Sequence, residues 1–179
     1  MEFNGQSLKS QWSDIDFSSD PDTYIRLTDE LRRGDDEKVR DYRHIFDHLS
    51  AKPGEIIADI GCGTGGATRA LVKSVDQLER VIGIDKSKTM IREASRRLKD
   101  PQIPIKYLHA DAHSLPIESN TLDACFATGT LEIVTDPKKV IEEMSRVVRP
   151  KGRIVVNIPD MDATSPKANA SSESLSPMS

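Results

Sequence analysis

The sequence predicts an α/β protein built on a doubly wound parallel sheet. Two observations carry this. The apolar runs Ile56-Ile57-Ala58 with Ile60, and Val81-Ile82-Gly83-Ile84, are short and nearly continuous, as in strands covered on both faces. Stretches with helical spacing of apolar residues lie between successive runs. Strand and helix therefore alternate, which is the pattern of a parallel sheet.

The elements follow in order. Residues 1–19 are polar, with Trp12, Ile15 and Phe17 scattered among them, and read as a loose arm. Tyr24, Leu27 and Leu31 then share one helical face, and Gly34 stops that helix. A second helix starts near Asp35 and Asp36, whose charges suit a helix N-terminus. Its apolar face is Val39, Tyr42, Ile45, Phe46 and Leu49, and Pro53-Gly54 ends it. The first strand, 56–60, runs into a glycine turn at 61–66, and a helix carrying Ala67, Ala70, Leu71 and Val75 follows.

A second strand covers 80–84. The helix after it, 88–99, has Ile91, Ala94 and Leu98 on one face and halts at Asp100-Pro101. Strands at 105–109 and 122–127 come next. Asp136 then stands at an N-cap, with Pro137 at the first helical position. The face expected to be buried is Val140, Ile141, Met144, Val147 and Val148, and Glu142 reaches Arg146 one turn on. Pro150-Lys151-Gly152 turns the chain into a fifth strand, 154–158. Six of the residues 160–179 are Ser and two are Pro, the composition of a disordered tail.

Bulk properties narrow the function. The 179 residues suit one domain. A net charge of -4 leaves no basic field for a nucleic acid backbone. Cys62 and Cys125 have no metal-like spacing with the four histidines and read as buried thiols in a reducing compartment. No stretch approaches the ~20 apolar residues of a membrane span. Lys9 is the only basic residue of the first 20, with no apolar signal-peptide run. The expectation is a cytoplasmic protein.

Three positions carry the chemistry. Gly61, Gly63, Gly65 and Gly66 lie between a strand and a helix, where glycines allow a tight turn and free amides meet a ligand. Asp85 ends the second strand about 20 residues beyond that loop, the place of a carboxylate that accepts both hydroxyls of a ribose. It also suits the start of the following helix as a capping acid. Asp111 comes just past the third strand. Asp59, Asp85 and Asp111 thus fall at carboxyl ends of strands, along one edge of the sheet. His109 and His113 flank this last block and read as structural.

Five blocks in this order resemble the class I S-adenosylmethionine (SAM)-dependent methyltransferases, nearest the ubiquinone/menaquinone biosynthesis type. They are DIGCGTGGAT at 59–68, GIDKSKTM at 83–90, ADAHSLPI at 110–117, TLDACFATGTLEIVTDP at 121–137 and RVVRPKGRIVV at 146–156. The resemblance implies a Rossmann-like sheet of order 3-2-1-4-5, with SAM as cofactor and a small-molecule acceptor. It places Asp59, Gly61, Gly63 and Gly65 around the methionine part, Asp85 at the ribose, and Asp111 and Ala112 at the adenine. Thr128 falls under the methionine moiety. Tyr24 and Arg26 of the first helix stand either as a lid or as packing residues.

The sequence departs from the family in three places. After the fourth strand the family often shows Leu, then His or Glu, then His-Val; here it reads Leu131-Glu132-Ile133-Val134, without the His occasionally found near the acceptor. Lys86 stands where an apolar residue commonly meets the adenine, and it offers only its aliphatic stem. The family's last two strands are lacking, since only the Ser-rich tail follows the fifth strand. Three readings compete: an active methyltransferase, an inactive SAM-binding fragment, and a nicotinamide-dependent dehydrogenase. Asp59 directly before the loop and the RVVRPKGRIVV block oppose the last. Residues 1–50 are expected to form an arm with lid helices and 51–159 the SAM-binding domain. The fifth strand is strongly β-forming, without inward charges or a bulge signal, and is expected to lie at an open edge and self-associate.

Overall fold

A computed structural model describes residues 2–3, 6–7, 15–30 and 42–158. The strands are β1 (Glu2–Phe3), β2 (Gln6–Ser7), β3 (Ile56–Ile60), β4 (Arg80–Asp85), β5 (Ile105–His109), β6 (Leu122–Thr128) and β7 (Val148–Asn157). The helices are α1 (Pro21–Glu30), α2 (Arg43–Leu49), α3 (Gly66–Ser74), α4 (Lys88–Arg97) and α5 (Pro137–Val147). The main sheet has order β5-β4-β3-β6-β7, all parallel. Numbered among themselves, its five strands run 3-2-1-4-5, as the resemblance implied.

Burial explains the apolar runs. Every residue of β6 is buried, and so are the last four of β3. Two apolar layers cover the sheet. One joins Ile45, Leu49, Ile57, Leu71, Val81 and Phe126. The other joins Ile60, Ile84, Leu122, Val140, Met144 and Val147. Phe46 meets Phe126 edge-on, ring centroids 6.2 Å apart. The helix expected from Asp35 is described only from Tyr42 onward, and there it is part of the core.

Several expectations need correction. The arm holds a short antiparallel β1–β2 pair and a 3-10 turn, Ile15–Phe17. Helix α4 buries Met90 and Ala94, leaving Ile91 half-buried. Ile141 of α5 is 43% exposed, and Glu143 takes a buried place on that helix. Glu143, not Glu142, pairs with Arg146, and its Oε2 accepts the Leu115 amide at 2.8 Å. Glu142 faces Lys138 and Lys139 instead. The cap on α5 is as expected: Asp136 accepts the Lys139 amide at 3.0 Å.

The fifth sheet strand also differs from expectation. It already begins at Val148, and its register against β6 shifts between Leu122 and Ala124, which oppose Val148 and Arg153. Lys151 takes a positive φ of 68° within this bulge. Arg153 turns inward, donating to the Leu49 carbonyl at 2.7 Å and to Glu55 Oε2 at 2.5 Å. Both edge-protecting devices expected to be missing are therefore present near the start of β7. Farther along, Ile154, Val156 and Ile158 are exposed. The expected Ser-rich disordered tail, 160–179, lies outside the described residues.

Candidate functional site

Crossover helices place the carboxyl ends of β3, β4 and β5 side by side, and the loops beyond them enclose a cleft of about 750 Å³. Gly61, Asp85, Lys86, Asp111 and Ala112 line it, together with Ile84, Thr130, Ile133 and Val134. Five of the nine residues singled out from sequence thus meet on one surface.

The glycine loop is held tightly. Gly61 has φ 75°, and its amide and that of Cys62 both donate to the Ile84 carbonyl, at 2.8 and 2.9 Å. A Cβ on Gly61 would collide with the Thr130 side chain, whose hydroxyl donates to the Ile60 carbonyl at 2.9 Å. Gly65 has φ 77° and caps α3, and a Cβ there would collide with the Tyr107 ring. Burial of Tyr107 pushes its phenol up to about 12. Arg69 closes the turn by donating to the Thr64 carbonyl at 2.8 Å.

Asp85 serves as a junction. Its Oδ2 accepts the Gly63 amide and its Oδ1 the Ser87 amide, both at 2.8 Å. Asp85 thus orders the turn into α4, where Ser87 is the cap, and it also lines the cleft.

Asp111 belongs to a second polar cluster. Burial raises its pKa, but the His113 amide and ring more than reverse this, and the carboxyl lies below the usual range. Its Oδ1 accepts His113 Nδ1 at 2.5 Å, and His113 Nε2 accepts the Asp136 amide at 3.3 Å. His113 thereby ties the Asp111 loop to the start of α5, the structural role expected of it. His109 Nε2 lies 2.8 Å from the Lys86 carbonyl.

Other nominated residues sit elsewhere. Asp59 is 1% exposed and accepts Thr68 Oγ1 at 2.6 Å, bracing α3 beneath the loop rather than lining the cleft. Thr128 is buried, and its hydroxyl has no partner; the same holds for Glu132 Oε2 four residues on. Two orphaned buried oxygens so close in sequence need an explanation. Tyr24 and Arg26 do not line the cleft; Ile15, Asp16 and Phe17 do. Thr130, Tyr107 and this turn escaped sequence reading. Both cysteines are buried, and burial pushes the Cys125 thiol up to about 12.

A family model described as a methyltransferase domain matches residues 58–156, more than half of the chain. The chain belongs to the methyltransferase domain family. Its matched segment contains the whole five-stranded sheet except the outermost residues of β3 and β7.

Relatives of this methyltransferase domain include an uncharacterized 37.1 kDa transposon TN4556 protein of Streptomyces fradiae. It is 38% identical over 71% of this chain and 37% of its own length. A demethylmenaquinone methyltransferase of Oceanobacillus iheyensis is 37% identical over 60% of this chain and 45% of its own. The chain therefore spans less than half the length of these curated relatives. Among solved structures, the Haloferax volcanii putative methyltransferase complexed with the Trm112 activator is 27% identical, with TM-score 0.56 over 62% of this chain and 47% of that one. The [4+2]-cyclase SpnF is also 27% identical, with TM-score 0.60 over 66% and 44%.

Proposed function

We propose that this chain binds SAM in the cleft and serves methyl transfer from it to a small-molecule acceptor. The observation that carries this reading is the convergence of Gly61, Asp85, Asp111 and Ala112 on one cleft in a methyltransferase domain. The demethylmenaquinone methyltransferase relative favours an aromatic, quinone-like acceptor.

The residues present fit the cofactor. Asp85 holds the ribose hydroxyls while keeping its grip on Gly63. Asp111 and Ala112 meet the adenine, with the stem of Lys86 alongside. Gly61, Gly63 and Gly65 keep side chains off the loop that faces the methionine part, and Asp59 stiffens that loop through Thr68. Thr128 Oγ1 and Glu132 Oε2 are enclosed and lie outside the cleft lining, so they take no part in this site. SAM supplies an electrophilic methyl group on a sulfonium; the protein's part is to align it with the acceptor and exclude water. No acid or base is assigned. Residues 51–159 form the binding unit in this reading. Ile15, Asp16 and Phe17 supply part of its cover, and α2 part of its core.

A second reading is supported by the likeness to a cyclase. In it the chain binds SAM without transferring methyl. Incubation with methyl-labelled SAM and a demethylmenaquinol-type acceptor separates the two. Label in the extracted acceptor supports transfer; saturable binding with no label in the acceptor supports the second reading.

A further inference from the structure

One wall of the cleft comes from outside the five family blocks. Asp16, in the 3-10 turn, lies 71 residues before Ser87 yet is bound to it. Its Oδ1 accepts Ser87 Oγ at 2.7 Å and the Thr89 amide at 3.0 Å; its Oδ2 accepts the Lys88 amide at 2.8 Å. These amides are the unpaired donors of the first turn of α4. Ser87 in turn caps that helix by accepting the Met90 amide at 3.1 Å. Burial alone would raise the Asp16 pKa, but the bonds from Thr89, Ser87 and Lys88 bring it down to about 2, so the anchor stays charged.

The anchor fixes its two neighbours. Ile15 is 4% exposed, whereas Phe17 is 90% exposed at the cleft. An aromatic ring left in water forgoes a large burial gain. The turn is bound to residues 87–89, directly after Asp85 and Lys86, so it stands at the nucleoside end of the cleft. Lys86 lines the same end of the cleft, and its ammonium cannot be buried cheaply against a base.

We propose that Phe17 is the residue that covers the purine of the bound nucleoside, with Asp16 as the positioning residue that holds it there. This rests on the SAM-binding reading above. A purine presents two π-faces, and an aromatic side chain stacks on either without demanding a hydrogen-bond pattern. Asp16 acts by joining the turn to α4.

The test is calorimetric titration of S-adenosylhomocysteine and of methylthioadenosine, which carries the adenosine half alone. Phe17→Ala is expected to weaken both ligands by the same factor, about tenfold, with the melting temperature unchanged because the ring is exposed. Phe17→Tyr is expected to bind like the original chain. Asp16→Ala is expected to reproduce the loss, and adding Phe17→Ala to it is expected to cost nothing more. Unchanged affinity in Phe17→Ala overturns the proposal. So does a loss confined to S-adenosylhomocysteine, or a loss that tyrosine does not restore. If the unaltered chain binds neither ligand, the SAM-binding reading falls as well. If it binds both and Phe17→Ala binds equally, only the role of Phe17 falls.

Discussion

Asp85 Oδ2 accepts the backbone amide of Gly63 at 2.8 Å, so the end of β4 and the glycine loop after β3 are one hydrogen-bonded unit. The carboxylate lines the cleft and at the same time sets the glycine loop; in the proposed SAM site it is the group that takes the ribose. Removing it acts on both.

Asp85→Ala is therefore expected to weaken S-adenosylhomocysteine binding by about 1–3 kcal/mol, the scale for losing hydrogen bonds to a charged group. Calorimetry measures this directly. Unchanged affinity would remove Asp85 from the ribose site.

Gly65→Ala tests the loop from the side of the sheet. The new methyl group meets the Tyr107 ring at a φ of 77°. A loss of about 1–3 kcal/mol is expected from overpacking and the left-handed backbone together. Chemical denaturation checks the stability, and the same protein is expected to lose affinity for S-adenosylhomocysteine. A stability equal to that of the unaltered chain would show that Tyr107 gives way freely.

Much of this was legible in the sequence because it depends on local pattern. Pro137 after Asp136 marks a helix start whatever the surroundings, and the run from Leu122 to Ala127 has no polar face to expose apart from Asp123. That residue is buried because it accepts the Ile56 amide at 2.8 Å and pairs with Arg149. What escaped depends on partners distant in the chain. Thr130 matters because Gly61 lies against it, Tyr107 because Gly65 does, and Asp16 because α4 offers it three donors. Periodicity on α5 favours Ile141 for the core, but the Leu115 amide and Arg146 draw Glu143 inward instead. The bulge in β7 follows from Lys151 and Gly152 lying inside a strand rather than before it.

Glu143 gives a prediction in acid. The hydrogen bond from Arg146 is the largest influence on its pKa. Although burial works against it, the carboxyl falls to about 2, compared with an ordinary value of 4.5. A carboxylate lowered on folding stabilises the protein above its unfolded pKa, and that contribution is lost as the pH falls. The melting temperature should therefore drop between about pH 4.5 and 2. Asp16 and Glu93, also at about 2, contribute in the same direction. Glu143→Gln is expected to lower stability at neutral pH by about 1–3 kcal/mol and to flatten the acid slope. An unaltered slope would show that the Glu143–Arg146 pair does not govern it.

The outer edge of β7 has no partner strand among the described residues, and Ile154, Val156 and Ile158 stand exposed on one face. The bulge and Arg153 protect only its beginning. Concentration-dependent self-association is expected in sedimentation velocity, and Ile154→Lys with Val156→Lys is expected to reduce it by charging the edge. A monomer at all concentrations before substitution would mean that the edge is covered by another part of the chain.

The central claim is that the cleft between Gly61, Asp85 and Asp111 is a SAM site. It is tested most directly by titrating the purified chain with S-adenosylhomocysteine and, separately, with NADH, alongside a Gly63→Val variant checked for folding by circular dichroism. The account predicts saturable binding of one S-adenosylhomocysteine per chain, no binding of NADH, and loss of the first in the folded variant. Binding of NADH in place of S-adenosylhomocysteine, or unaltered S-adenosylhomocysteine affinity in folded Gly63→Val, would contradict it.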